Sequence, residues 1–281
     1  NTAVGFDAGV AITTGVQNTI VGALAGDSLA ASNLNTAVGY QALTAATTAD
    51  LNTAIGAQTL YTNILSDRNV AVGYGALYTH NQATRIDSYN TAVGFSAGDA
   101  ITTGIQNTFV GGQAGGASIT ASYNVGLGMG ALQSDTYGAT SVAVGSDALL
   151  TQNFTTATNV YSTAVGYNAG NDITVGIRNT LIGALAGDAL TDADYNVAVG
   201  MHSLGTDTLG SRATAVGTDA LATQNFTTAT DTYNTAMGYA AGAAVSTGVY
   251  NTLIGGLAGD ALTDADANTA VRMWSLTGVV T

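Results

Sequence analysis

This chain of 281 residues contains no cysteine and no proline. Its five basic residues are all Arg and its eighteen acidic residues are all Asp, so Lys and Glu are missing too. Without Cys there are no disulfides and no thiolate metal sites. Without Lys and Glu, and with 37 Gly, the chain lacks the vocabulary of helices. A formal charge of −13 leaves none of the clustered Lys or Arg that nucleic-acid phosphates require, so no nucleic-acid partner is expected. No run of about 18 apolar residues occurs, so no transmembrane helix and no membrane insertion are expected. Charged residues make up 8 % of the chain and hydrophobic ones 46 %, a balance that argues against disorder.

What the chain has is repetition. The pentapeptide Asn-Thr-Ala-Val-Gly and its variants begin at Asn1, Asn18, Asn35, Asn52, Asn69, Asn90, Asn107, Asn124, Ser141, Ser162, Asn179, Asn196, Ala213, Asn234, Asn251 and Asn268. Most intervals are 17 residues; those opening at Asn69, Ser141 and Ala213 are 21. Positions below are counted from the first residue of each pentapeptide. Position 9 alternates in blocks: Gly9 and Gly26, then Leu43, Leu60 and Leu77; after this first block, which carries one extra 17-residue unit, two Gly and two Leu return every 72 residues, as Gly98, Gly115, Leu132 and Leu149. A fixed period of this size marks stacked units that share one continuous core. The expected fold is all-β, a parallel β-solenoid of sixteen coils of 17 or 21 residues, read as one repeat domain over 1–281. At a strand step of roughly 4.8 Å the rod would be about 75 Å long. The chain opens in repeat phase without an initiator Met, as a segment of a longer fibre would.

Within the pentapeptide, position 2 is Thr or Val and position 4 is Val, Ile, Leu or Met. Both suit a strand, and period two puts them on one face. The expectation is that this face is the interior, with Gly at position 5 bending the chain away. Asn at position 1, as at Asn18, Asn35, Asn52, Asn107, Asn179 and Asn251, is expected to form a stacked amide ladder. Bulk at positions 3 and 6 is traded: Ile20 stands with Ala23 and Phe109 with Gly112, whereas Ala37 stands with Tyr40. That trade suggests one confined space, shared by three chains packed side by side.

The pentapeptide resembles the head repeat of trimeric autotransporter adhesins, the YadA-like head, which also occurs in phage tail fibres. Asn35–Gly39 aligns with the family motif, with Thr in place of the family's Val. Val125–Gly128 and Val142–Gly145 stand closer still. The resemblance implies a left-handed β-roll, a homotrimer, and an extracellular place on a cell surface or virion fibre. The 17-residue coils are longer than the family's, and no neck, stalk or anchor is visible in this sequence.

Candidate sites are few. His80 and His202 have no local catalytic partners, and no converging acid, base and nucleophile set is visible. No cofactor is expected. The acidic turns offer a weak Ca²⁺ candidate at Asp188, Asp192 and Asp194, and again at Asp260, Asp264 and Asp266, but their default role is in solvated turns. The long coils carry the recognition candidates His80, Asn81 and Arg85, then Asn153 and Phe154, then Asn225 and Phe226. Insertions in a solenoid map to surface loops, where a Phe could stack on a sugar. The alternative is a bulge whose Phe tucks onto the roll or the next chain. Over 268–281 the pattern breaks with Arg272, Met273 and Trp274, which would cap the roll or begin another domain.

The leading expectation is a non-enzymatic fibre segment that attaches to a cell-surface receptor, a glycan among the candidates. The runner-up is a filament or surface-layer subunit stacking end to end. A third reading, an ice-binding solenoid, is weakened by the inward placement of Thr.

Overall fold

The computed structural model describes residues 1–278. Within them the chain is all β, without helix, as a parallel β-solenoid of about sixteen turns. Residues 279–281, which close the expected irregular segment 268–281, lie outside the described residues.

Two compact units divide the chain. The first is Asn1–Thr140 with Thr155–Thr158; the second is Ser141–Phe154 with Asn159–Thr281. Rung strands of the first unit are Thr2–Val4, Thr19–Val21, Thr36–Val38, Thr53–Ile55, Val70–Val72, Thr91–Val93, Thr108–Val110 and Val125–Leu127. Each pairs in parallel with the next, position on position, as Thr2 with Thr19 and Thr36 with Thr53. The second unit repeats this from Val142–Val144 to Thr269–Val271, with Thr163 opposite Thr180 and Thr252 opposite Thr269. Its Trp274 side chain is exposed.

The expected facing of the strand is reversed. Position 3, not positions 2 and 4, points inward: Ala37, Ala54, Ala71 and Phe109 are fully buried, while Thr36 and Val38 on either side are half-exposed. The cause is the width of the roll. Its interior already holds Ala at position 8 and the side chains of positions 9 and 12, such as Ala42, Leu43 and Leu29. One column from the strand fits beside them, and in most coils that column is Ala.

The bulk trade therefore has a different pair. Position 6 lies outside, with Phe6, Tyr40 and Tyr74 exposed, so it shares no space with position 3. Position 9 trades instead with positions 12 and 3. A Cβ added to Gly26 would sit 2.4 Å from Leu29 Cδ1, and one added to Gly115 would sit 2.5 Å from the Phe109 ring. Where position 9 is Leu, as at Leu43, Leu60 and Leu77, positions 3 and 12 carry something smaller or polar. Each coil fills the same cross-section by another route, as close-packed interiors demand.

Backbone geometry explains the glycine at position 5. Gly22 has φ +134°, and a Cβ there would lie 2.5 Å from the carbonyl oxygen of Gly39 in the next coil. Left-handed backbone also recurs at positions 7, 9 and 17 in non-glycine residues; Leu43, Leu60 and Leu77 hold φ of 53°, 48° and 52°. That conformation costs an L-residue roughly 1–2 kcal/mol. Burying a Leu side chain returns about 1.5–3 kcal/mol, so the core contact outweighs the strain.

Candidate functional site

The Asn column is buried and does more than stack. Asn35 N–H donates to Asn18 Oδ1 at 2.9 Å, and Asn35 Nδ2 donates to the Ala49 carbonyl at 2.8 Å. Asn18, Asn52 and Asn107 repeat this, and in the second unit so does Asn251. Asn179 donates through its N–H to Ser162 Oγ and through Nδ2 to the Ala193 carbonyl. Each amide therefore ties one coil to the next and closes the end of its own coil. These groups are fully committed to the fold.

The three long-coil candidate sets separate on exposure. His80, Phe154 and Phe226 are buried, so none of them is presented to a receptor. The Phe rings tuck onto the roll, the second of the two arrangements the sequence allowed, because an insertion of four residues must be anchored to avoid hanging free. Arg85, Asn153 and Asn225 remain exposed, and Asn81 is half-buried. Arg85 donates through Nε to Asp67 Oδ2 at 2.8 Å and pairs through its terminal nitrogen with Asp50, so it bridges two stacked carboxylates.

Beneath two long coils lies a buried polar network invisible to composition. In the second unit, Asp207 Oδ1 accepts from Gly210 N at 3.0 Å and from Phe226 N at 3.2 Å, and its Oδ2 accepts from Gln224 Nε2 at 2.6 Å. Gln224 Oε1 in turn accepts from Asn234 Nδ2 at 2.8 Å. Burial pushes the Asp207 carboxyl up, against the pull of its four hydrogen-bond donors. The first unit places Asn63 and His80 at the matching stations. Asn63 Oδ1 accepts from Ser66 N at 3.0 Å, but His80 Nε2 is 3.5 Å from Asn90 Nδ2 and His80 Nδ1 has no side-chain or backbone partner at hydrogen-bond geometry. Burial pushes the His80 imidazole down to about 4.

The acidic turns do not converge. Among the described residues, no group of three or more His or Asp side chains stands close enough to hold a metal ion, and that includes Asp188, Asp192 and Asp194 as well as Asp260, Asp264 and Asp266. Asp194 Oδ1 instead accepts from Ile177 N at 2.7 Å, and Asp266 Oδ1 from Val249 N at 2.8 Å, each closing the backbone of the preceding coil. Burial pushes the Asp188 carboxyl up. No helix among the described residues is long and apolar enough to cross a membrane.

Three surfaces stand out. The first is the strand face itself: within each unit, columns of Thr or Val at position 2 and of Val, Ile, Leu or Met at position 4 face outward without one charge. Exposed Phe6, Tyr40, Tyr74 and Phe95 flank it in the first unit, and Tyr74 stacks on Phe95 at 5.7 Å. The second is a ladder at the last position of successive coils in the second unit. Arg178 and Arg212 lie 5.2 and 4.8 Å from the Tyr195 ring, Arg212 lies 5.9 Å from Tyr233, and Tyr233 stacks on Tyr250 at 5.8 Å. Sequence reading missed it, although Arg and Tyr alternating at one coil position were there to be seen. The third is a groove of about 430 Å³ in the first unit, whose walls include Asp27, Gln41, Thr44, Tyr61, Ile64 and Asn81.

Comparison with protein-family models, with curated proteins and with solved structures returns no match.

Proposed function

We propose that this chain is a non-enzymatic segment of an extracellular fibre, a homotrimer of left-handed rolls that attaches to a cell-surface receptor. The observation that supports it is the uncharged strand face. Val4, Val21, Ile55, Val110, Ile182 and Ile254 are exposed large hydrophobics on that face, and the aromatics of position 6 extend the patch. Exposed apolar surface repeated at every rung favours a covering partner. A second copy is the natural one, because identical rungs present identical spacing. Adhesin heads and tail fibres of the YadA-like type are what the repeat motif resembles.

Light scattering after size exclusion tests this. A stable mass of three chains supports the reading, and Val38→Asp together with Val165→Asp should then lower the mass without unfolding the coil. A monomer removes it, and polydisperse high-mass rods would favour the end-to-end filament.

One observation favours a second reading. Thr at position 2 faces outward and not into the core, so the Thr residues of most rungs lie at the surface, interrupted by Val70, Val125, Val142 and Val197, at a rung spacing of roughly 4.8 Å. Flat, regular hydroxyl and methyl columns are suited to ordering water into an ice-like layer. Ice growth observed in the presence of the pure protein decides it: unshaped crystals and no freezing hysteresis remove this reading.

A further inference from the structure

The groove of the first unit has a built geometry that the fold does not require. Its aromatic wall is Tyr61, which stacks on Tyr78 at 4.9 Å with the ring planes 2° apart. Both rings stand at position 10. One coil earlier the same column narrows to Thr44, and one before that to Asp27. Tyr78 supports one face of Tyr61, and the groove lies on the side where the column has shrunk.

Polar groups of opposite character surround this wall. Asp27 Oδ1 accepts from Thr44 Oγ1 at 2.5 Å, which orients the carboxylate, and its Oδ2 has no protein donor among the described residues. Asn81 Oδ1 is used, accepting from Ile64 N at 3.2 Å, which leaves its Nδ2 as a donor. Gln41 likewise spends Oε1 on Gln58 Nε2 at 3.4 Å and keeps its own Nε2 amide hydrogens for a ligand. One acceptor and two donors therefore remain beside one aromatic face.

That combination selects a class of ligand. The C–H face of a sugar ring packs on the negative face of an aromatic ring. Neighbouring hydroxyls each donate and accept, so they match a carboxylate on one side and amide N–H groups on the other. A volume of about 430 Å³ is within the range of small-ligand sites. The chain's charge of −13 and the carboxylate of Asp27 disfavour acidic sugars and phosphates.

We propose that this groove is a subsite for one neutral pyranose ring of a surface glycan, with Tyr61 as the stacking platform and Asp27, Gln41 and Asn81 as hydroxyl readers. This deepens the receptor-binding reading above and rests on it for its biological sense. Its residues stand at positions 7, 10 and 13, none of them on the strand face that a second copy would cover. Asn81 belongs to the first long coil, so the insertion completes the groove while its neighbour His80 is buried beneath.

The test is saturation-transfer NMR on the full chain with cellotriose, maltotriose, mannotriose and chitotriose as probes, beside light scattering of the same samples. Saturable transfer to the ring protons of at least one probe is expected. Tyr61→Ala should weaken it by about tenfold, and Tyr250→Ala, on the ladder of the other unit, should leave it unchanged. Circular dichroism checks the fold; should Tyr61→Ala fail to fold, Asp27→Ala on the half-buried rim decides, with loss of binding expected. No saturable signal from any probe, or full binding in the folded variants, would overturn the proposal. A trimer that binds none of the probes loses the groove and keeps the fibre reading, whereas a monomer that binds one keeps the groove and loses the fibre.

Discussion

The first and third long coils carry insertions of the same length, four residues, and hold them down differently. In the second unit Gln224 links Asp207 to Asn234, and every polar atom of that side chain is used. In the first unit His80 occupies the matching station with one nitrogen at 3.5 Å from its neighbour and the other unpaired. Both side chains are fully buried. The roll thus tolerates either a closed polar network or a neutral imidazole at one interior point, but the two must answer differently to mutation and to acid.

Mutation should separate them most. Gln224→Leu strips Asp207 of its shortest donor and Asn234 of an acceptor, and should cost about 3 kcal/mol because a buried carboxylate is left undersatisfied. His80→Leu fills similar space and removes a poorly paired group, so chemical denaturation should move by less than about 1 kcal/mol. Equal losses at the two sites would break the comparison.

Acid is expected to act on the two sites in opposite directions. The folded-state pKa of His80 is depressed to about 4, below its ordinary value of 6.5. Its neutral form is favoured by folding, so that stability is complete above pH 6.5 and is lost as pH falls toward 4, by roughly 3 kcal/mol in full. Asp207 is shifted the other way, raised by burial. Its protonated form is favoured by folding, so its contribution is present below the ordinary carboxylate pKa and fades as pH rises through the folded value. Hydrogen exchange between pH 7 and 4 should loosen the first long coil and not the third, and His80→Gln, which copies Gln224, should abolish the difference.

The smallest effect is expected at the surface of the first long coil. Arg85→Ala leaves Asp50 and Asp67 facing each other, but the guanidinium is half-exposed. Loss of about 0.5 kcal/mol is expected in low salt, shrinking as salt is added. A loss that salt does not change would mean that Arg85 holds the loop by contact and not by charge.

Much of the fold was legible in the residues. The period, the parallel stacking, the Gly bend at position 5 and the Asn column at position 1 all follow from spacing and backbone chemistry. The candidate sites were less legible. Phe154 and Phe226 stand among polar residues, which reads as an exposed loop, yet the local sequence carries no sign of the polar station that draws Phe226 N–H to Asp207. The groove was nearly invisible, because Asp27, Gln41, Thr44, Tyr61 and Asn81 come from four successive coils and meet only when those coils stack.

The sequence by itself determined the repeat, the strand and the strict alternation of its side chains, because a period-two backbone leaves no other choice. Only the tertiary structure decided which side of that alternation is inside. Thr and Val are better strand residues than Ala and were read as core. The roll is too narrow for two β-branched columns beside Leu43 and Ala42, so Ala37 goes in and Thr36 and Val38 come out. That single reversal turned a presumed core into the surface on which the function of this chain is proposed to depend.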